Sequence, residues 1–412
     1  MSPRSFDAET APSRSRSTSV AEATWRRSWR VRRDAKRLEA ETAGGALHIA
    51  ILIGHFPPGV VGGAELQAQA WARLLADRHR VTVITRRDPP SQAAEEGRDG
   101  FTVRRLPVSR IPLWRTVRDL LGVEREIARL APRPDLLLCF QTFVSGMAGV
   151  RAQARLGIPA VVWVRSEGEL RLGLGERWRW ISPRVWRAAR GVLVQSERAR
   201  AALLQALREL DARAAEEVAA KLDVVPNGLD LPPPSPAGGK GVLAVGRLIP
   251  EKGMDIVIEA AARASLPLTV VGDGPERPRL EGIARARGGL VRFEGMVGPD
   301  RLARLYRECA CVVLAARAGE GLPNVLLEAM GHTRPVVATP ILGVSDLVQD
   351  GCNGLLIPPG DAGALAAALL RLEGDDGLRA RLSTAARATA EKFAWDRVRP
   401  RLEAVLERHA QP

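Results

Sequence analysis

Apolar residues in this chain gather in short, nearly unbroken runs, at 46–54, 136–140, 160–164, 242–245, 268–271 and 311–315. Runs of this length read as strands buried on both faces, the pattern of a parallel sheet. Further strands are predicted over 81–85, 102–106, 191–195, 222–225, 290–295 and 335–339. Helical spacing occupies 66–78, 111–130, 145–156, 198–210, 254–264 and 301–309, and helices over 362–372, 378–392 and 395–410 close the chain. This strand–helix alternation indicates a doubly wound α/β architecture. Prolines and a glycine interrupt it at 226–236, which reads as a linker between two similar α/β domains.

The 412 residues suffice for two domains, and the 46% hydrophobic content is that of a soluble globular protein. A net charge of +14 calls for an acidic partner: nucleotide phosphates, an anionic membrane face, anionic glycans or nucleic acid. The excess of Arg and Ala is equally what a GC-rich coding bias produces. Cys139, Cys309, Cys311 and Cys352 form no CxxC pair, so reduced thiols and a cytosolic location are expected. No apolar run reaches the roughly 18 residues of a membrane span. Residues 1–44 read as a basic tail, disordered at first, with a candidate helix over 21–41 in which Trp25 and Trp29 share a face. That helix is either a membrane-surface anchor or a solvated extension. The segment 165–190, rich in Arg and Trp, has two readings as well. It is an anionic acceptor surface or membrane-proximal face, or a helix with basic outside and tryptophans in the core. No nucleic-acid-binding motif accompanies the charge.

Candidate chemistry lies in the loops after the predicted strands. Glu320 and Glu328 stand in a Glu-x7-Glu spacing around Gly321, Leu322, Pro323 and Asn324. Pro323 suits a first helical turn, which leaves Glu320 on the loop and Glu328 inside the helix. The free N–H groups of a helix N-terminus favour an anion, and both carboxylates could accept hydrogen bonds from sugar hydroxyls. Arg247 ends one predicted strand and Lys252 precedes a helix, so both cations face the carboxyl edge of a sheet, where a diphosphate could be held. Gly272, Asp273 and Gly274 resemble a dinucleotide fingerprint, but Arg277 stands where its third glycine belongs, which argues against NAD. Gly62, Gly63 and Glu65 form a glycine loop ahead of a helix, and Arg165, Ser166 and Glu167 follow another strand end. There is no Asp-x-Asp and no His/Cys/Asp cluster at metal spacing, so no metal and no cofactor is expected.

Taken together, the strings at 57–65, 226–230, 246–253, 272–276, 293–295, 320–331 and 351–361 resemble family-4 glycosyltransferases, in the order found there. The resemblance covers about residues 46–400 and leaves out the tail. It implies a GT-B fold, with a Rossmann-like acceptor-side domain over 45–229, a nucleotide-sugar-binding domain over 230–394, and a last helix, 395–410, that returns to the first. It implies that Arg247 and Lys252 bind the diphosphate, Glu328 the ribose and Glu320 the donor sugar. Backbone of Leu322, Pro323, Asn324 and Val325 would meet sugar or phosphates. Gly272, Asp273, Phe293 and Met296 would line the nucleotide pocket, and Gly62 and Gly63 would approach from the opposite wall. Arg165, Glu167 and Glu65 would stand on the acceptor side. Transfer would retain anomeric configuration and use no metal. Many members carry a His after the strand at 160–164; here Ser166 aligns best with it, and Asp346 stands where Glu is usual. The expected activity is therefore a retaining glycosyltransferase acting on a glycan or lipid-linked acceptor in bacterial surface-polysaccharide or glycolipid assembly. It would be cytoplasmic, with peripheral contact to an anionic membrane. The alternative is a catalytically weak nucleotide-sugar-binding partner of another transferase.

Overall fold

The computed structural model describes residues 45–58, 62–108, 112–170, 175–235, 238–318 and 321–411, and of residues 112–117 and 175–179 the backbone only. The tail 1–44 with Trp25 and Trp29, residues 171–174, and Glu320 lie outside the described residues.

The apolar runs build two sheets. The first contains β1 (His48–Leu52), β2 (Arg80–Arg87), β3 (Glu95–Arg98), β4 (Phe101–Pro107), β5 (Leu136–Phe140), β6 (Ala160–Trp163), β7 (Gly191–Val194) and β8 (Leu222–Val224), in the spatial order β3-β4-β2-β1-β5-β6-β7-β8. The second contains β9 (Val242–Val245), β10 (Leu268–Val271), β11 (Val291–Gly295), β12 (Cys311–Leu314), β13 (Val336–Ala338) and β14 (Leu355–Leu356), in the order β11-β10-β9-β12-β13-β14. Pairing is parallel throughout except between β3 and β4. Strand order reverses between β1 and β5 in one sheet and between β9 and β12 in the other. Such switch points are where open α/β sheets bind ligands.

Helices cover both faces, so β1, β5, β6 and β7 are buried along their whole length. One layer over the first sheet combines α1 (Gly63–Leu75) with the closing helix α6 (Trp395–Ala410). Trp71, Ala72 and Leu75 pack there with Trp163, Val398, Leu402 and Leu406. The opposite face carries α2 (Pro112–Arg129) and α3 (Met147–Leu156). In the second half α4 (Met254–Arg263) and α5 (Asn324–Gly331) lie on opposite faces of the sheet, in separate cores. Between the sheets, Leu229 N–H donates to Phe393 O (3.0 Å) and Trp395 N–H to Leu229 O (3.3 Å), tying the linker to the returning chain. A Cβ on Gly228 would fall 2.1 Å from the Trp395 ring, which explains the glycine in the Pro-Asn-Gly turn.

Three local expectations change. Strand β3 is additional, and Asp99 and Gly100, both at positive φ, form the turn that pairs it with β4. The helix expected from 145 begins at Met147, after a π-type turn over Thr142–Gly146. A short helix, Ala212–Ala219, is capped by Asp211, whose side chain accepts from Ala214 N–H. In the Arg/Trp-rich segment Trp186 is fully buried and Trp180 exposed, so the core reading holds for the first of them. Among the described residues no helix is long and apolar enough to cross a membrane.

Candidate active site

The halves meet through residues that follow the carboxyl ends of their strands. Asn227, after β8, donates from Nδ2 to Leu322 O (2.8 Å) and to Asn324 Oδ1 (2.7 Å). Gln195, after β7, donates to Asn227 Oδ1 (2.8 Å) and accepts from Leu322 N–H (3.3 Å). Gln67 on α1 donates to Gly228 O (2.8 Å) and Asn324 Oδ1 (3.3 Å), and Asn324 Nδ2 donates to Gly63 O (3.0 Å). Beside them Ser196 Oγ donates to Asp346 Oδ2 (2.6 Å); burial raises the Asp346 carboxyl above its usual range, with Ser196 and Arg198 opposing. Packing is tight: a Cβ on Gly321 would lie 2.4 Å from Arg165 O, and one on Gly343 would lie 1.1 Å from Gly321 O.

On the second sheet, Arg247 stands exposed just beyond β9, at the switch point. Lys252 is half-buried in the 3-10 turn Pro250–Lys252, its stem against Gly246. Gly253, at φ 62°, enters α4 with its Cα against Ala315 O, where a Cβ would come to 2.1 Å. Arg317 clamps this corner to the loop after β12: its N–H donates to Glu251 O (2.8 Å), and its guanidinium donates to Pro250 O (2.7 Å) and Asp255 (2.8 Å). Arg317 thus holds the cationic corner against the start of the loop that leads from β12 towards α5, on neighbouring strands β9 and β12. Glu328 lies one turn into α5, half-buried, and accepts from Tyr306 Oη at 2.8 Å. Burial pushes its carboxyl up, with the tyrosine hydrogen bond opposing. Tyr306 is buried and stacked on His332 (5.3 Å, 16°). Gly272 has φ 126°, and a Cβ there would meet Gly246 O at 2.0 Å. The glycine is needed first for strand-end packing. Asp273 is exposed and pairs with Arg277 (3.0 Å). Phe293 packs on the core, and Met296 projects beyond it, 66% exposed.

On the first sheet, Arg165 is buried, with its guanidinium over the rings of Trp163 (4.8 Å) and Phe140 (5.3 Å). Burial lowers its pKa to about 10, against the pull of Glu169 and Glu65. Its Nε and Nη1 have no hydrogen-bond partner among the described residues. Ser166 is drawn into a knot around Glu169, which accepts from the N–H groups of Thr142 (2.6 Å), Arg165 (2.8 Å) and Ser166 (3.1 Å). Glu167 is buried in the short helix Glu167–Leu170. Glu65 is half-buried in the first turn of α1 and folds over Gly62.

The structure therefore brings Gly63, Leu322 and Asn324 together, and sets Arg165 against Gly321. It keeps Phe293, Met296 and Asp273 at the far edge of the second sheet. Sequence reasoning missed Gln67, Gln195, Tyr306, Arg317 and the joining role of Asn227. The Pro226-Asn227-Gly228 turn carried a signal; isolated glutamines carry none. Among the described residues no group of three or more His, Cys, Asp or Glu is placed to hold a metal ion.

Two parallel sheets that meet at their carboxyl edges, each with loops at a switch point, define the GT-B fold. Family profiles agree: Glycosyltransferase Family 4 matches residues 61–232 and Glycosyl transferases group 1 matches residues 239–375. The D-inositol 3-phosphate glycosyltransferase of Xylanimonas cellulosilytica is 32% identical over 305 residues, covering 65% of this chain and 70% of that protein. The chain belongs to glycosyltransferase family 4. The exopolysaccharide phosphotransferase of Streptomyces coelicolor is 29% identical over 376 residues, 82% of this chain but 38% of that protein. The chain likewise spans well under half of several other curated relatives it matches. Sucrose-phosphate synthase from Thermosynechococcus elongatus shares the fold (TM-score 0.77, 22% identity, 88% of this chain and 98% of that one). So does Anabaena HepE, solved with UDP-glucose (TM-score 0.69, 22% identity, 88% and 99%).

Proposed function

We propose that this protein is a retaining, metal-independent glycosyltransferase. It would move a sugar from a UDP- or GDP-sugar to a glycan or lipid-linked acceptor in bacterial surface-polysaccharide or glycolipid assembly, at the cytoplasmic side of the membrane. The observation that carries this reading is the corner where exposed Arg247 and half-buried Lys252 lie at the end of β9, beside the strand whose loop leads to α5. Two cations and free helix N–H groups suit a departing nucleoside diphosphate, whose charge grows as the glycosidic bond breaks. Glu328, beside them, holds the ribose hydroxyls. Glu320, just ahead of α5 in sequence, acts at the sugar. Leu322 and Asn324 spend their polar groups on the other half, so their part is to set the gap between the halves. Arg165, with donors to spare, faces an anionic part of the acceptor.

A panel of UDP-, GDP- and ADP-sugars in thermal shift finds the donor, since ligand at 100 times Kd adds about 2.7 kcal/mol. Transfer with that donor then proceeds in EDTA and keeps the anomeric configuration by NMR. Strict metal dependence or inversion contradicts the proposal. The binding-partner alternative predicts donor binding without turnover; it draws on Ser166, which is held by Glu169 where many members carry the histidine.

A further inference from the structure

The first half contains a cavity of about 480 Å³ that the donor corner does not use. Small-molecule sites span roughly 300–1,000 Å³. Its floor is the carboxyl ends of three strands, at Leu52, Ile84 and Leu106, and its wall is the middle of α2. It opens along the same sheet edge as the glycine loop after β1.

Three observations describe its occupant. The floor is aliphatic, with Leu52 and Ile84 part of the buried core. The wall carries Gly122 in mid-helix, where glycine is among the poorest helix formers. A Cβ there would meet only Leu106 Cδ1, at 3.9 Å, so the missing side chain leaves this space open. The lining is also cationic beyond its own needs. Asp119 is taken by Arg86 (2.7 Å) and Glu126 by Arg104 (2.7 Å). Exposed Arg118 and Arg125 have no hydrogen bond or ion pair among the described residues, and Arg86 Nε is buried without a partner among them.

We infer that this cavity binds a single-chain amphiphile: an aliphatic or isoprenoid chain ending in a phosphate or diphosphate. The chain lies over Leu52, Ile84 and Leu106, and the phosphate meets Arg118, Arg125 and Arg86 Nε. As the lipid of a glycosyl acceptor the ligand rests on the transfer reading above, whereas its binding does not.

The test uses the full chain and farnesyl phosphate below its aggregation concentration, with farnesol, inorganic phosphate and phosphatidylglycerol vesicles as separate arms. Farnesyl phosphate is expected to raise Tm saturably and to bind by calorimetry, with farnesol and phosphate each much weaker. Gly122→Phe, which fills the space, should weaken binding about tenfold or more. Arg118→Glu with Arg125→Glu should bring farnesyl phosphate down to the level of farnesol. Nucleotide-sugar binding by each variant, measured in parallel, shows that the variant is folded and that the donor corner is separate. Should Gly122→Phe misfold, Gly122→Leu serves in its place. No shift with farnesyl phosphate, equal binding by Gly122→Phe, equal binding of farnesol, or binding to vesicles alone would each overturn the inference. Loss of donor binding in the wild type would instead overturn the transfer reading and leave this one standing.

Discussion

The two carboxyl edges that face each other are built from different materials. On the second sheet the strand ends close on backbone: Gly246 against Gly272, and Gly253 against Ala315, with no room for a side chain. Arg247 and Lys252 are the charged groups this corner presents, on a frame fixed by carbonyl contacts. On the first sheet the ends are filled with buried polar side chains: Thr142, Arg165, Glu167 and Glu169 lie together after β5 and β6. A backbone-built corner suits the diphosphate proposed for it, and a corner built from side chains, readily altered by substitution, suits the proposed acceptor.

The largest effect should come from forcing a side chain into the backbone-built corner. Gly272→Val sets a β-branched residue at φ 126° with its Cβ 2.0 Å from Gly246 O. A loss of about 4 kcal/mol in unfolding free energy is expected from strain and overpacking together. Gly97→Ala, on exposed edge strand β3 where nothing lies within 4 Å, should cost nothing measurable. Equal losses in denaturant titration would refute the contrast.

Each half also buries a neutral histidine, and pH compares them. His79 in the first half and His332 in the second are each lowered by burial to about 4. His79 Nδ1 accepts from Leu47 N–H, and His332 is surrounded by Arg307, Arg334 and Arg387. Between these values and an unfolded pKa near 6.5 the unfolded chain binds more protons. Stability is therefore complete above about pH 6.5 and falls as pH drops towards 4, by on the order of 2 kcal/mol for each. His332→Gln should flatten the fall seen by urea titration, and an unchanged slope would show that the ring is not buried neutral.

How much of this was readable in the sequence follows the same division. Parallel strands, their switch points and the GT-B class were legible because unbroken Val/Ile/Leu runs and glycine strings are local signals. The places of Arg247 after a strand, Lys252 before a helix and Glu328 inside one were legible for the same reason: they sit in short strings beside glycine and proline. The join between the halves was not, since Gln67, Gln195 and Asn227 are 95 to 257 positions from their partners in Leu322 and Asn324. Tyr306 is 22 positions from Glu328, across a strand and a loop. Strand β3 was missed because Glu95–Arg98 carries no apolar residue, and its signal was the Asp99-Gly100 turn.

A smaller effect distinguishes buried charge from packing in the first half. Arg165→Met removes a buried guanidinium with unpartnered donors, so the ligand-free protein should keep or gain stability, by up to about 2 kcal/mol. Acceptor KM should rise if Arg165 meets an anion. Destabilisation with unchanged KM would make it a packing residue. Smaller again, Asn324→Ala removes hydrogen bonds to Gly63, Gln67 and Asn227 and should lower stability by about 1 kcal/mol. Small-angle scattering should then report a looser pair of halves, and an unchanged profile would show that other contacts set the gap.

The claim that the second-sheet corner holds a departing diphosphate is tested most directly by Arg247→Ala, assayed for transfer with the donor that thermal shift selects. The exposed side chain contributes little to folding, so Tm should hold. The predicted loss in kcat/KM is about 2–4 kcal/mol, roughly 30- to 1,000-fold, expressed mainly in kcat and unaffected by EDTA. Wild-type kcat/KM in the variant, or a loss confined to KM, would contradict the assignment.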